Sequence, residues 1–229
     1  MNEIINGFIE AIRLIITLNP EVYSITLLTL EVSITSTLIA LIIAIPLGNL
    51  IHFNKFKGKK STINIIQTLY SIPTVLVGLL VFLLISRSGP LGFLGVLFTP
   101  TGIVLGQTIL ILPIITGLTI SSLKGVSKEI KDLSMSLGAS KFQMMKTVMR
   151  EAKYSLFAAV ILGFGRAISE VGVAMMIGGN IRGYTRVITT TMSLETQKGN
   201  VELSIALGII LLAIALIINV LLNYFQERE

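Results

Sequence analysis

The sequence predicts an all-α integral membrane protein with five transmembrane helices. Hydrophobic residues make up 53% of the 229-residue chain and charged residues only 13%, and the mean hydropathy is +0.87. Soluble domains carry about 25% charged residues. The apolar residues form five runs long enough for a bilayer crossing, which needs about 20 residues per helix. Most of the charged residues lie between these runs.

Ahead of the first run, residues 4–18 predict a short amphipathic helix. Isoleucines and Phe8 occupy largely one face, whereas Glu3, Glu10 and Arg13 lie elsewhere. Such a segment is too short to span a membrane, so we expect an interfacial helix in residues 1–20 and a transmembrane domain in residues 21–229. It lacks a basic n-region, so we expect it to be retained rather than cleaved as a signal peptide.

The five predicted spans follow in order, separated by charged or Gly/Pro-rich segments. They are residues 22–51, 61–86, 101–123, 154–181 and 203–224. Pro46 predicts a kink in the first span, and Pro73 and Pro113 lie inside the second and third. Residues 182–200, after the fourth span, are polar and rich in threonine.

The distribution of lysine and arginine predicts the orientation. If residues 52–60, residues 124–153 and the C-terminal tail share one side, that side carries 12 of the 18 basic residues. The opposite side carries five, and Arg166 lies within a span. The positive-inside rule therefore places residues 124–153 and the C-terminus in the cytoplasm and the N-terminus outside.

Residues 124–153 form a long interval that is both charged and helical in pattern. The first helix has an apolar stripe of Val126, Ile130, Leu133 and Leu137. Gly138 is expected to end it, and Ser140 with Gln143 predicts a capping box that starts a second helix. The second helix carries Phe142, Met145, Met149 and Ala152 on its apolar face. Helices this short are marginally stable alone in water, so each needs a surface to pack against. That surface is either a groove on a partner protein or anionic lipid.

Arg166 and Glu170 are the costliest residues of the predicted spans. A central arginine costs about 2.5–3.5 kcal/mol on insertion scales, whereas an ion pair four residues apart returns only about 0.2–0.5 kcal/mol. The pair must therefore face protein or a water-filled path. Both interpretations stay open: a structural ion pair, or the lining of a path in which the arginine favours an anion.

Several function classes find no support in the sequence. The chain has no cysteine, which excludes disulfides, thiolate metal sites and cysteine nucleophiles. The basic residues lie between apolar runs rather than on a polar surface, so nucleic acid is not an expected partner. There is no P-loop, HExxH or GxSxG motif and no histidine cluster. No internal repeat supports a stand-alone secondary transporter or channel, which remains the competing class.

The two consecutive helices predicted in residues 124–153, called the double helix below, resemble the cytoplasmic "EAA" signature of ABC importer permeases. That signature is Glu-Ala-Ala-x-x-x-Gly followed after nine residues by Ile-x-Leu-Pro. Asp132, Leu133 and Ser134 stand at the first three positions, Gly138 at the glycine and Val148 at the isoleucine. Arg150 and Glu151 replace Leu-Pro. Without the proline, the second helix is expected to continue toward the fourth span.

The resemblance extends over nearly the whole chain. Five spans with an external N-terminus resemble the compact permeases of the methionine and molybdate type. GRAISEVGVAMMIGGNI resembles the Arg-Ala-x-x-Glu-x-Gly segment of oxyanion permeases. SIPTVLVGLL, RSGPLGFLGVLFTPTGIVLGQ and TRVITTTMSLETQKGN resemble tungstate-specific permeases most.

This resemblance implies the permease subunit of an ABC importer for an oxyanion, tungstate first, with molybdate, sulfate and then an amino acid such as methionine as alternatives. Two copies are expected to form the path in the plasma membrane of a prokaryotic cell. Each would dock on a cytoplasmic ATPase subunit that binds the ATP, so the permease itself is expected to be no enzyme and to hold no cofactor or metal. An external oxyanion-binding protein would deliver the anion.

The resemblance, together with the residue pattern, also assigns roles to individual residues. The residues expected to couple the permease to the ATPase are Asp132, Leu133, Ser134, Leu137, Gly138, Ala139, Phe142, Met145 and Val148. The translocation path is expected at Arg166, Ser169, Glu170 and Gly172. Arg182 and Arg186 are expected to dock the binding protein.

Overall fold

The structure, a computed structural model, describes residues 2–227, without the side chains of Asn2, residues 221–223 and residues 225–227. Regular structure in this range is helical throughout, which confirms the predicted class. The α-helices are α1 (Asn2–Ile16), α2 (Pro20–Phe53), α3 (Lys59–Thr68), α4 (Thr74–Ile85), α5 (Pro100–Gly125), α6 (Lys128–Ser136), α7 (Lys141–Glu151), α8 (Lys153–Ile168), α9 (Gly172–Gly178), α10 (Ile188–Gln197) and α11 (Val201–Glu227).

Within the described range, α2, α5 and α11 are each long and apolar enough to cross a bilayer. They correspond to the first, third and fifth predicted spans. Pro46 and Pro113 lie inside α2 and α5 without ending either helix. The 34 residues of α2 extend about 51 Å at about 1.5 Å per residue, more than the roughly 30 Å of a hydrocarbon core.

The second predicted span, residues 61–86, is a bent pair of helices rather than one helix. α3 and α4 meet at 102°, after a 3-10 turn at Leu69–Ser71 and the extended residue Ile72 (φ −65°, ψ 132°). Pro73 explains this break, because a proline lacks an N–H and disfavours helical backbone at the residue before it. Together the two helices are long and apolar enough to form one broken span.

The fourth predicted span, residues 154–181, is also broken. α8 and α9 meet at 54°, with residues 169–171 between them. The backbone N–H of Val173 donates to Oε1 of Glu170 over 3.0 Å, so the glutamate side chain caps the start of α9. α9 ends at Gly178, and the next residue, Gly179, has the left-handed conformation (φ 69°) that favours glycine.

The core forms where α2 and α5 pack against each other and against α8. A buried cluster contains Ala40, Ala44, Ile111, Ile115 and Ala167. Gly48 of α2 allows the close approach of α5, because a Cβ atom there would lie 2.7 Å from Cγ2 of Thr119. Small residues permit such tight helix packing in membranes.

The amphipathic helix expected near the N-terminus is α1, and it packs against α11. Ala11 and Leu14 are buried in a cluster with Ala206 and Leu207, and the amide of Asn6 donates to Glu202 over 2.7 Å. The opposite face, with residues such as Phe8 and Ile12, is exposed. Its location at the membrane interface remains a prediction.

The predicted double helix is present as α6 and α7. Gly138 between them has φ +80°. Ser140 and Gln143 form the predicted capping box: the backbone N–H of Ser140 donates to Oε1 of Gln143 over 2.7 Å, and the hydroxyl of Ser140 accepts from the N–H of Gln143 over 3.3 Å. The local sequence signals therefore predicted this element correctly.

The polar segment 182–200 contains a helix that the pattern did not predict. α10 includes three consecutive threonines, Thr189, Thr190 and Thr191, all buried. β-branched residues have low helix propensity. The threonine hydroxyls make hydrogen bonds within α10 and to other elements, for example from Thr190 to Oδ1 of Asn180 over 2.9 Å.

Candidate translocation path and coupling surface

The Arg166–Glu170 ion pair lies at the break between α8 and α9. Nη1 of Arg166 is 2.9 Å from Oε2 of Glu170. The arginine side chain is 35% exposed and the glutamate side chain 1%. The pair therefore has an accessible positive end and a buried negative end, which is the polarity that attracts an anion.

Two side chains from distant helices bind the backbone at this break. Nε2 of Gln107, in α5, donates to the carbonyl oxygen of Ala167 over 3.2 Å. The hydroxyl of Thr189, in α10, donates to the carbonyl oxygen of Glu170 over 2.7 Å. Neither residue was predicted to belong to the site, although a glutamine inside an apolar span is a recognisable signal of a functional or structural contact.

The four predicted path residues come together at the break but face different ways. Ser169 is exposed, and its hydroxyl donates to the carbonyl oxygen of Gly165 over 2.8 Å. Gly172 faces α4 instead: a Cβ atom there would lie 2.7 Å from Oγ1 of Thr74. Arg166 and Ser169 are thus the members of the set with accessible side chains, whereas Glu170 is buried and Gly172 lies against α4.

The apolar stripe of the double helix divides into an exposed and a half-buried part. Leu133, Leu137 and Phe142 are 61%, 79% and 76% exposed. Ile130 of α6 is half-buried; Val126, predicted to belong to the same helix, is also half-buried but lies before α6, at the residue that caps α5. The exposed part forms an apolar surface at the turn of residues 137–140 between α6 and α7, here called the elbow. Asp132 and Lys141, both exposed, lie beside this surface. Such a surface is typical of a helix that docks in a groove.

Val148, predicted to take part in coupling, is fully buried. It lies in a cluster with Leu123 and Ala152, packed against Phe53 and Leu156. In this arrangement Val148 faces the chain's own core and attaches α7 to the membrane domain. Met145 and Ser134 are half-buried beside the elbow.

The double helix is also bonded to the end of α2. Nζ of Lys131 lies 3.3 Å from Nε2 of His52, and Nζ of Lys141 donates to Oδ1 of Asn54 over 3.4 Å. Nδ2 of Asn49 contacts Sδ of Met149 at 3.2 Å. Both α6 and α7 are therefore attached to the same helix end.

Arg182 and Arg186 share one carboxylate at the opposite end of α2. Nε of Arg182 donates to Oε1 of Glu21 over 2.9 Å, and Nη1 of Arg186 lies 3.6 Å from the same oxygen. The Arg182 side chain is 72% exposed, but that of Arg186 only 14%. The two predicted docking residues therefore differ: Arg182 is accessible and Arg186 is largely enclosed.

Residues 36–229 match the family described as binding-protein-dependent transport system inner membrane component. The match covers most of the chain. The chain therefore belongs to this family of inner-membrane ABC permeases.

Individual relatives agree with this family. The chain is 42% identical over its whole length and that of the relative to the tungstate uptake system permease protein TupB of Peptoclostridium acidaminophilum. It is 40% identical to TupB of Campylobacter jejuni, with 96% of this chain and 92% of that protein covered. A probable anion ABC transporter permease of Haloferax volcanii is 39% identical, with 90% of each chain covered.

Solved structures share the fold at lower identity. A bacterial ABC transporter that imports alginate matches with a TM-score of 0.72 at 19% identity over 90% of this chain and 79% of that chain. The methionine ABC transporter MetNI, in inward-facing conformations, matches with a TM-score of 0.67 at 17% identity over 91% and 92%. These matches confirm the predicted methionine-type permease fold.

Proposed function

We propose that this chain is the permease subunit of a tungstate importer. The observation that carries the proposal is the 42% identity over the entire chain to a tungstate uptake permease. A second tungstate uptake permease, at 40% identity, supports the same substrate. The accessible positive end of the Arg166–Glu170 pair suits a tetrahedral dianion such as tungstate.

Energy for transport comes, in this proposal, from a separate ATPase that binds the double helix. The chain has no P-loop of its own. The exposed apolar side chains of Leu133, Leu137 and Phe142 supply the contact, and Gly138 sets the angle between the two helices. Two ATPase subunits would serve two copies of the permease.

The path lies between those two copies, with the N-terminus outside and the C-terminus in the cytoplasm. Arg166 and Ser169 contact the anion at the α8–α9 break. On the outer side, the external binding protein docks where Arg182 is exposed beside Glu21. Arg186, mostly enclosed, supports this site from beneath.

Substrate and subunit composition are tested by reconstitution. The permease is co-expressed with the ATPase and the binding protein proposed as its partners, and the complex is purified and inserted into liposomes. ATP-dependent uptake of tungstate, molybdate and sulfate is then measured. Calorimetry on the binding protein gives its preference among the three anions. We expect ATP-dependent tungstate uptake; a complex that moves none of the three, or moves them without an ATPase, contradicts the proposal.

Sulfate transport is the second candidate because sulfate permeases are also related. The sulfate transport system permease protein CysW of Synechococcus elongatus is 26% identical over 87% of this chain. That identity is well below the 42% of the tungstate permease. Sulfate uptake that exceeds tungstate uptake in the liposomes would favour this alternative.

The ATPase contact is tested by the Leu137→Asn substitution. Leu137 is 79% exposed, so the change should leave the folding of the permease intact. Truncation of one of the few residues that dominate an interface costs about 2 kcal/mol or more, so we expect the affinity for the ATPase to fall more than about tenfold. The affinity is measured by titrating the purified ATPase onto the permease in detergent.

Phe93→Asn is the matched control for this substitution. Phe93 is similarly exposed, at 82%, but lies in the segment between α4 and α5, on the predicted outer side. The permease with Phe93→Asn should bind the ATPase with the same affinity as the unaltered protein. Equal weakening by both substitutions, or unchanged binding in Leu137→Asn, would place the contact elsewhere.

A further inference from the structure

The break between α8 and α9 leaves backbone groups that a continuous helix would satisfy. In the interior of a membrane protein, water is not available to replace such bonds, so other groups of the protein must bind the freed carbonyl oxygens. Ser169, which caps the end of α8, binds the carbonyl oxygen of Gly165 through its hydroxyl over 2.8 Å and through its backbone N–H over 3.4 Å. The carbonyl oxygen of Ala167 accepts the backbone N–H of Glu170 over 3.2 Å and is also bound by Gln107 of α5, whereas the carbonyl oxygen of Glu170 is bound by Thr189 of α10.

These two donors are buried, which makes their hydrogen bonds structurally significant. Gln107 is 3% exposed and Thr189 is 6% exposed. The orientation of the Gln107 amide follows from chemistry: a carbonyl oxygen accepts only, so the amide nitrogen must face Ala167. The amide oxygen accepts from the Ser36 hydroxyl of α2 over 3.1 Å, so one side chain joins α2, α5 and α8.

The same short turn has a buried side and an open side. On the buried side are the two bound carbonyl oxygens and the Glu170 carboxylate, 1% exposed. On the open side are the Ser169 side chain and part of the Arg166 guanidinium. The direction in which the open side points is therefore set by bonds made on the buried side.

We infer that Gln107 and Thr189 are positioning residues for the anion path. By holding the Ala167 and Glu170 carbonyl oxygens, they fix the turn that presents Arg166 and Ser169 to the anion. The inference rests on the proposed role of Arg166 and Ser169 in the path. It gives a transport role to two residues outside the broken helix, 60 and 19 positions away in sequence from the groups that they bind.

The test uses a thiol as a local reporter of the arginine charge. Because the chain has no cysteine, S169C introduces a single thiol at an exposed position of the turn. Its reaction rates with a negatively charged and a neutral methanethiosulfonate are measured in the complete transporter in liposomes. The rate with the negatively charged reagent divided by the rate with the neutral reagent reports the electrostatic potential at the turn. This ratio does not depend on transport.

We expect R166Q in the S169C background to lower this ratio about threefold or more, as the loss of a unit charge a few ångströms away requires. Q107M and T189V should each lower the ratio in the same direction, because the turn no longer holds Arg166 beside the thiol. Both substitutions keep the approximate size of the side chain and remove the donor.

Two matched controls lie on the same helices. Thr119 of α5 is fully buried and its hydroxyl bonds only the carbonyl oxygen of Ile115 among the contacts of the described chain. Thr191 of α10 is 5% exposed and bonds the carbonyl oxygen of Val187. T119V and T191V should leave the ratio unchanged, since neither hydroxyl touches the break.

The outcomes separate this inference from the proposed function. If R166Q lowers the ratio and Q107M and T189V do not, the positioning inference is overturned while the path assignment stands. If R166Q leaves both the ratio and tungstate uptake unchanged, the path assignment fails and the positioning inference fails with it. If Q107M does not fold, T189V decides the matter, because valine and threonine have nearly the same shape.

Discussion

At the scale of single residues, the two partners of the Arg166–Glu170 ion pair differ in their exposure to solvent. The carboxylate is buried and also accepts the Val173 N–H, whereas the guanidinium reaches the open side. Removing one partner of a buried pair typically costs about 3–5 kcal/mol because it leaves an uncompensated charge. The structural and the transport interpretations of the pair can therefore be separated by substitution.

Arg166→Ala should both destabilise the permease and reduce uptake, and a second substitution should separate the two effects. Arg166→Ala combined with Glu170→Gln removes the unpaired carboxylate, so thermal stability in detergent should largely recover. Uptake in liposomes should remain at least about tenfold low, since a dianion in a low-dielectric path needs a compensating charge. Recovery of uptake together with stability would make the pair purely structural.

Glu195 illustrates a charged group held by local contacts outside the spans. It accepts from Nζ of Lys198 over 2.7 Å and from Nδ2 of Asn200 over 2.6 Å. The hydrogen bond from Lys198, followed by that from Asn200, lowers the pKa of Glu195 below its ordinary value of 4.5. Its contacts thus join the end of α10 to the turn before α11.

The lowered pKa of Glu195 fixes the pH range in which it stabilises the fold. Because the folded-state pKa lies below the unfolded value of 4.5, the stabilisation is present above about pH 4.5 and is lost as the pH falls through the lowered pKa. The difference in thermal midpoint between the unaltered protein and Glu195→Gln should therefore be constant near neutral pH and shrink in acid. A difference unchanged between pH 7 and pH 3.5 would contradict this.

At the scale of elements, the elbow between α6 and α7 depends on one backbone conformation. Gly138 has φ +80°, and a Cβ atom there would meet no other atom within 4 Å. Substitution at this position therefore strains the backbone without a steric clash. The left-handed conformation costs an ordinary L-residue about 1–2 kcal/mol, least for asparagine and most for β-branched residues.

Gly138→Val should uncouple transport from ATP hydrolysis while the membrane domain stays folded. We expect anion-stimulated ATPase activity to fall strongly in Gly138→Val and less in Gly138→Asn, in the order of their backbone cost. Gly125→Val is the control, because Gly125 has open space around it and an ordinary φ. Normal stimulation in Gly138→Val would show that the elbow geometry is not needed.

The Arg150-Glu151 departure from the family pattern has a visible structural result. α7 ends at Glu151 and α8 begins at Lys153, with only Ala152 between them. Without the proline, the second helix of the pair was expected to continue toward the fourth span. Helix α7 therefore does not continue into the fourth span; it ends at Glu151, and the single residue Ala152 connects it to α8.

The elements predictable from sequence are those with local signals. Run length and composition identify the spans, and Gly138 with Ser140 marks the elbow. The break at residues 169–171 carries no proline, and the side chains that bind carbonyl oxygens there, Gln107 and Thr189, are distant in sequence. α10 was missed for the same reason, since tertiary hydrogen bonds such as that of Thr190 to Asn180 offset the low helix propensity of threonine.

At the scale of the whole molecule, orientation is the prediction that determines every other assignment. The absence of cysteine again allows single reporters. An impermeant thiol reagent added to intact cells should label Q197C, at the end of α10, and should not label S136C, at the elbow. Inside-out vesicles should give the reverse pattern, and labelling of S136C in intact cells would invert the proposed topology.

Helix α2 runs without interruption from Pro20 to Phe53 and so connects two hydrogen-bonded regions of the chain. One end is bonded to both helices of the elbow through His52 and Asn54, and the other holds Arg182 and Arg186 through Glu21. A rotation of about 5° about one end moves the other by about 4 Å over a helix of about 51 Å. That displacement exceeds the length of the Glu21–Arg182 hydrogen bond, 2.9 Å. In the proposed topology, a tilt of α2 by about 5° at its cytoplasmic end would therefore be enough to break the hydrogen bond between Glu21 and Arg182 at its outer end.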